Sequence, residues 1–219
     1  LSRTIDPDSL EPEDFQIETK SGITHSPRCV TLRPAQDPGE LRTVLLIGEF
    51  GNADDDPPAL VRVVGDLFSD ENVPDKRSRM NFRGTQVEVT PLQDGPSLVF
   101  AEIVPLNNVA QDTRGSACPD DVNQIIRVIW NGGVRLLNRE ELGDFERELY
   151  KVTVVSKDSS KRRIVPAALG DLGDGDNNHL LCLDSEDIAI SVSFPSGYLA
   201  DPNLDLNPDT FVTVEDPEE

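Results

Sequence analysis

The chain is predicted to be all-β: two tandem antiparallel β-sandwiches, with a short helix inserted in the second. Three observations predict this. Apolar runs of about four to eight residues recur along the chain, each bounded by Gly, Pro, Asn or Asp. The composition, with 17 Pro and 15 Gly in 219 residues, suits many short strands joined by turns. No β-α-β alternation is visible, which removes doubly wound folds and their cofactor crevice. At 219 residues the chain is long enough for two cores of about 100 residues each. Its recurring Val, Ile and Leu runs argue against disorder.

The first domain is expected over residues 1–110. A polar opening with Pro7 and Pro12 leads into DFQIETKSG, where Phe15 and Ile17 alternate with polar neighbours as in a half-buried strand ending at Gly22. CVTLRPA sets Val30 and Leu32 on one face, with Cys29 and Thr31 on the other. LRTVLLIGEFG has the dense apolar run of a central strand covered on both faces. It stops at GNADDDPP, a turn whose Asp54, Asp55 and Asp56 point in different directions and read as a solvated tip. ALVRVVGDLFS, TQVEVTPL and PSLVFAEIVPL supply further strands, with Val87 and Val89 alternating in the second of them.

From Asn107 to Pro119 the chain turns polar, and the second domain is expected over 111–219. VNQIIRVIWNGGV is a strand carrying Trp130 and closing at Gly132 and Gly133. In NREELGDFERELY, Asn138 can cap with Glu141 three residues on. Leu142, Phe145 and Leu149 have helical spacing, so a short inserted helix is predicted. YKVTVVSKD and RRIVPAAL read as neighbouring strands; HLLCLD, IAISVSF and TFVTV complete the set. Trp130 and Tyr150 are expected in this core, and His179 is read as a loop histidine with a hydrogen-bond partner.

The formal charge is −21 and the pI about 4.3, so a phosphate backbone or an anionic membrane surface would be repelled. The acid is unevenly spread: after Arg163 there is no Lys or Arg, while thirteen Asp and Glu lie between Asp171 and Glu219. No run approaches the roughly 18 apolar residues of a membrane-crossing helix. The chain starts at Leu1 without a basic-then-apolar leader, as expected of a processed or trimmed chain. Of its three cysteines, Cys118 and Cys182 are the preferred disulfide, tying the start of the second domain to a late strand.

Crowded carboxylates point to a hard cation, and calcium is the expected one. Asp201, Asn203, Asp205, Asn207 and Asp209 place oxygen ligands on alternate residues, similar to the first part of an EF-hand loop. The rest of that pattern is missing: Leu206 stands where Gly is wanted, and Val212 where a bidentate Glu would close the shell. The second acidic loop, DLGDGDNNH, offers Asp171, Asp174 and Asp176. If both loops share one end of the sandwich, carboxylates about 4 Å apart would repel by roughly 4 kcal/mol at intermediate dielectric unless an ion sits between them. Two histidines, His25 and His179, are too few for a multi-histidine metal centre, and no nucleophile elbow is present.

DPDSLEPEDFQIETKSG, VTLRPA, RTVLLIGEF, VVGDLFSD and NFRGTQVEV together resemble the bacterial Ig-like domains of surface-layer and other exported proteins, over roughly residues 4–90. That resemblance implies tandem Ig-like sandwiches in a periplasmic, cell-surface or extracellular protein with a structural, adhesive or ligand-presenting role. The expectation is therefore a non-catalytic, calcium-stabilised module whose partner is a protein or a cell-surface polymer. A polysaccharide hydrolase or lyase with a site in the acidic loops of the second domain is the alternative. Its mark would be a carboxylate-lined pocket of about 300 Å³ or more carrying an aromatic. A structural subunit that self-associates through strand edges is the third reading.

Overall fold

A computed structural model describes residues 1–33, 41–70, 79–91, 94–106, 117–170, 172 and 177–216. The chain is all-β and antiparallel, and divides into two compact units, Leu1–Leu92 and Gln93–Glu219. This division lies ahead of the polar stretch 107–119 on which the sequence places it. The reason is pairing: the strand Leu98–Val104 lies alongside Gln124–Trp130.

In the first unit, β1 (Phe15–Thr19), β2 (Thr24–His25), β5 (Pro58–Val63) and β6 (Gln86–Glu88) form a sheet in the order β2-β1-β5-β6. β3 (Cys29–Thr31) pairs with β4 (Leu45–Ile47) alone. The alternation of β1 works as read, because Phe15, Ile17 and Thr19 are buried. Ile5, Phe15, Val63, Leu67 and Phe82 make the core, with Val30, Leu32 and Leu46 packed against it. β4 is not the doubly covered strand its apolar run suggests: Leu45 and Ile47 are each 47% exposed, since a two-stranded ribbon turns only one face inward. β6 is exposed at every position, and Val87 faces solvent.

The second unit holds two four-stranded sheets. One has the order β11 (Ala168–Gly170), β12 (Asn178–Leu183), β8 (Gln124–Trp130), β7 (Leu98–Val104). The other runs β10 (Lys161–Ile164), β9 (Lys151–Val155), β13 (Ile188–Phe194), β14 (Thr210–Thr213). Inward residues of both sheets, among them Ile126, Val128, Leu181, Val152, Val154 and Val192, belong to one core. Glu215 then pairs in parallel with Glu102, joining the end of the chain to β7. Cys118 and Cys182 form a disulfide, the pair preferred on sequence, and Cys29 is an exposed free thiol.

The inserted helix is shorter than its spacing predicts. α1 spans Asp144–Leu149, with Gly143 as N-cap residue; the Gly143 N–H donates to Glu146 Oε2 at 2.8 Å. Asn138 instead accepts from the Glu140 N–H two residues on, an Asx turn that competes with helix. Helix geometry therefore starts late, and Phe145 ends up 62% exposed rather than on the core face.

Candidate functional site

One end of the second unit gathers three connections. β8 ends at Trp130, whose N–H donates to the Asn177 carbonyl at 2.9 Å, while Asn177 Nδ2 donates to the Trp130 carbonyl at 2.6 Å. Asn177, which leads into β12, therefore lies beside the start of the β8–β9 connection. The β13–β14 loop, 195–209, is a small hairpin in which Ala200 pairs with Leu206 and, on its other side, with Arg135. Gly95 runs against that hairpin so closely that a Cβ there would lie 2.0 Å from the Leu206 carbonyl oxygen.

Asn207 is the staple of the hairpin. It is 2% exposed; Oδ1 accepts from the Tyr198 and Leu199 N–H groups at 3.0 and 2.8 Å, and Nδ2 donates to the carbonyls of Pro195 and Pro208. Asp201 Oδ1 accepts from the Asn203 and Asp205 N–H groups, and Asp209 Oδ1 from that of Ser196. The alternating oxygens read as cation ligands thus hold their own backbone at three of the five positions. Asp205 lends its backbone N–H and carbonyl to the tip, and Asn203 its N–H. Leu204, at the tip, is held at φ 72°, a left-handed conformation rare for a non-glycine residue.

Among the described residues, no three His, Cys, Asp or Glu side chains converge as a metal ion would require. Asp171, Asp174 and Asp176 lie outside the described residues. No helix among the described residues is long and apolar enough to cross a membrane.

The surface of this end is aromatic and acidic. Phe145 and Tyr198, 62% and 40% exposed, touch with ring centroids 6.0 Å apart. Segments 134–149 and 196–209 together carry eight carboxylates against three arginines. Two of those arginines are engaged: Arg135 with Glu141, and Arg147 with Asp144, Glu148 and the Pro166 carbonyl. Sequence reasoning missed Phe145 and Tyr198 as a pair. Helical spacing turned Phe145 inward, and no local pattern brings residue 198 to residue 145.

Beneath lies a buried polar chain. Trp130 Nε1 donates to the Tyr150 hydroxyl at 3.2 Å, which lies 2.9 Å from His179 Nδ1. If Tyr150 gives its proton to Nδ1, all three polar tips are served and His179 carries its own proton on Nε2. His179 sits on β12, not in a loop, and is 2% exposed. Burial, and then the positive charge of Arg135, lowers its pKa to about 3, so it stays neutral. Burial also raises the Tyr150 hydroxyl well above the usual phenol range, against a smaller lowering from Trp130. Trp130 and Tyr150 are fully buried in the core, as expected. This network has the chemistry of a satisfied interior rather than of an open site.

The first unit has an open depression of about 450 Å³, lined by Asp6, Asp8, Glu11, Asp14, Asp66 and Phe68, with Arg79 at its side. Its size and lining meet the enzyme criterion set by the sequence, though in the first unit and not the second. Asp6, Asp14 and Arg79 are committed, however. Asp6 accepts from the Asp8 N–H and pairs with Arg79 at 2.9 Å; Asp14 accepts from the Glu11 N–H; and the Arg79 guanidinium covers the Phe68 ring at 4.2 Å. These carboxylates cap two 3-10 turns, Pro7–Ser9 and Pro12–Asp14. The Asp54–Asp56 turn is only partly a solvated tip, because Asp56 accepts from the Ser21 N–H, the Ser21 hydroxyl and the Thr19 hydroxyl, each at 2.8 Å. Those bonds, Ser21 foremost, hold the Asp56 carboxyl below its usual range.

Comparisons with models of protein families, with curated proteins and with solved structures return no match.

Proposed function

We propose that the protein is a non-catalytic, exported binding or adhesion module built of Ig-like domains, which presents the loop end of its second unit to a protein or cell-surface polymer. One observation carries the reading: the strand order β7-β8-β12-β11 opposite β10-β9-β13-β14. Labelled in chain order, these are A-B-E-D opposite C′-C-F-G, the arrangement of an immunoglobulin sandwich. In such folds the B–C and F–G loops share one end and serve as recognition surfaces. Here those loops are the segments joined by Arg135 and Ala200. The resemblance of residues 4–90 to bacterial Ig-like domains supports the same assignment for the first unit. The disulfide suits an oxidising, extracytoplasmic compartment.

The test is to incubate the full chain with a panel of extracellular polysaccharides and matrix proteins, scoring both retention and new reducing ends. Retention without product is expected. Product that disappears on Asp14→Asn or Asp6→Asn would transfer the assignment to a polysaccharide hydrolase working in the first-unit depression, the second reading that its carboxylate lining favours. Calcium belongs to the proposal as a stabiliser of the loop end, where Asn177, next in sequence to the acidic stretch Asp171–Asp176, bonds to Trp130. The protein is expected to melt higher in excess calcium than in excess chelator; superimposable melting curves remove calcium from the proposal.

A further inference from the structure

We infer that the Phe145–Tyr198 pair is the landing site for a basic, Lys- or Arg-bearing segment of a partner protein; this rests on the binding-module reading above and specifies the partner's chemistry. Large exposed aromatics need an explanation in a chain with only eleven aromatic residues, Phe, Tyr and Trp together. Trp130, Tyr150 and Phe194 are spent on the core beneath, yet Phe145 and Tyr198 stand side by side in solvent. The two rings meet at 50°; Tyr198 also rests against buried Phe194 at 6.5 Å, and what remains exposed, 62% of Phe145 and 40% of Tyr198, is the area a group arriving from outside can cover. A ring face attracts a cation through its quadrupole, and Arg stacks on it as well.

The surrounding charge selects the same ligand. Asp144 and Glu148 flank Phe145 on α1 with side chains 95% and 66% exposed. Asp201, Asp205 and Asp209 come from the hairpin that carries Tyr198, and that hairpin contains no basic residue. The Arg147 guanidinium is tucked in, 17% exposed and bound to the Pro166 carbonyl. Asp144 and Glu148 share the single Arg147 guanidinium, and no basic residue of the hairpin answers its three aspartates, so this end keeps a net negative charge that repels an anionic partner and steers in a cationic one. The loop is also preorganised by Asn207, so little ordering entropy is lost on docking.

The experiment titrates the disulfide-intact full chain into a fluorescein-labelled peptide of alternating arginine and glycine at 0.15 M salt, read by polarisation, with a citrulline peptide as neutral isostere. Expected is saturable binding of the arginine peptide alone, weakened roughly two- to fivefold by Phe145→Ala and again by Tyr198→Ala, and retained in Phe145→Trp. Equal binding by wild type and both alanine variants would reduce the effect to bulk charge and overturn the inference. So would absence of binding, or sedimentation showing that the protein alone self-associates through a Phe145-dependent contact, in which case the occupant is a second copy. Retention on a polymer that ignores Phe145→Ala would sink this inference while leaving the binding-module reading standing.

Discussion

The two units solve the same problem of stability by different means. Among the described residues the second unit has a core of sixteen buried side chains, including Trp130, Tyr150 and Phe194, and a disulfide. The first unit has five. What it has instead is a set of short-range polar staples: Asp56 to Ser21 and Thr19, Asp14 to the Glu11 N–H, and Ser9 Oγ accepting from the Phe68 N–H at 3.0 Å. Burial of a large apolar side chain is worth about 1.5–3 kcal/mol, whereas an exposed hydrogen bond contributes about 1 kcal/mol or less. The second unit is therefore expected to be the rigid platform, and core damage should separate the units first.

Phe194→Ala should have the largest effect. The ring lies 5.6 Å from Trp130 and 4.7 Å from Tyr150, centroid to centroid, inside two packed sheets that cannot collapse around the space. A loss of about 4–5 kcal/mol is expected, read from Trp130 fluorescence during denaturant unfolding. Phe82→Ala, in the smaller core, should cost nearer 3 kcal/mol, because half-exposed neighbours such as Met80 and Val30 can relax into the gap. Equal losses would break the distinction between the units.

The pH dependence of the second unit comes next. His179 has its pKa lowered to about 3 in the folded chain, against 6.5 when free. Between those values the unfolded chain takes up a proton that the folded chain refuses, so stability is full above pH 6.5 and falls as pH drops toward 3. Across the two pH units from 6.5 to 4.5 the loss is about 2 kcal/mol. His179→Gln should flatten that slope, since Gln can still accept from the Tyr150 hydroxyl without titrating. An unchanged slope would assign the acid sensitivity to carboxylates instead.

Much of this fold was legible because it is local. The alternation of β1, the strands around Trp130 and the β9–β10 hairpin follow from period and punctuation alone. The misreadings share one cause, which is that neighbours in space decide burial. The run around Leu46 looked central but pairs with a single partner strand. Phe145 had core spacing but lies on a helix too short to turn it inward. His179 looked like part of a polar loop and is instead the second residue of a buried strand. At the site, the regular spacing of Asp201 to Asp209 was visible, but not its use. The same oxygens that could face a cation are turned onto N–H groups of the loop, and that depends on how the hairpin closes.

Closure of the hairpin sets the smallest effects. Asn207→Ala removes two acceptor and two donor contacts from a buried position and leaves the Leu199 N–H and the Pro195 carbonyl to find water. The expected cost is about 2 kcal/mol in the second unit. Amide exchange should quicken from Tyr198 to Asp205 while the strands keep their protection. Asp56→Ala tests the first unit's counterpart, where Ser21 and its hydroxyl are already exposed and water replaces the carboxylate. The first-unit melting midpoint should move less than the second-unit midpoint moves in Asn207→Ala. If the order is reversed, the polar staples carry more of the first unit's stability than its exposed geometry implies, and the contrast between a packed and a stapled unit has to be redrawn.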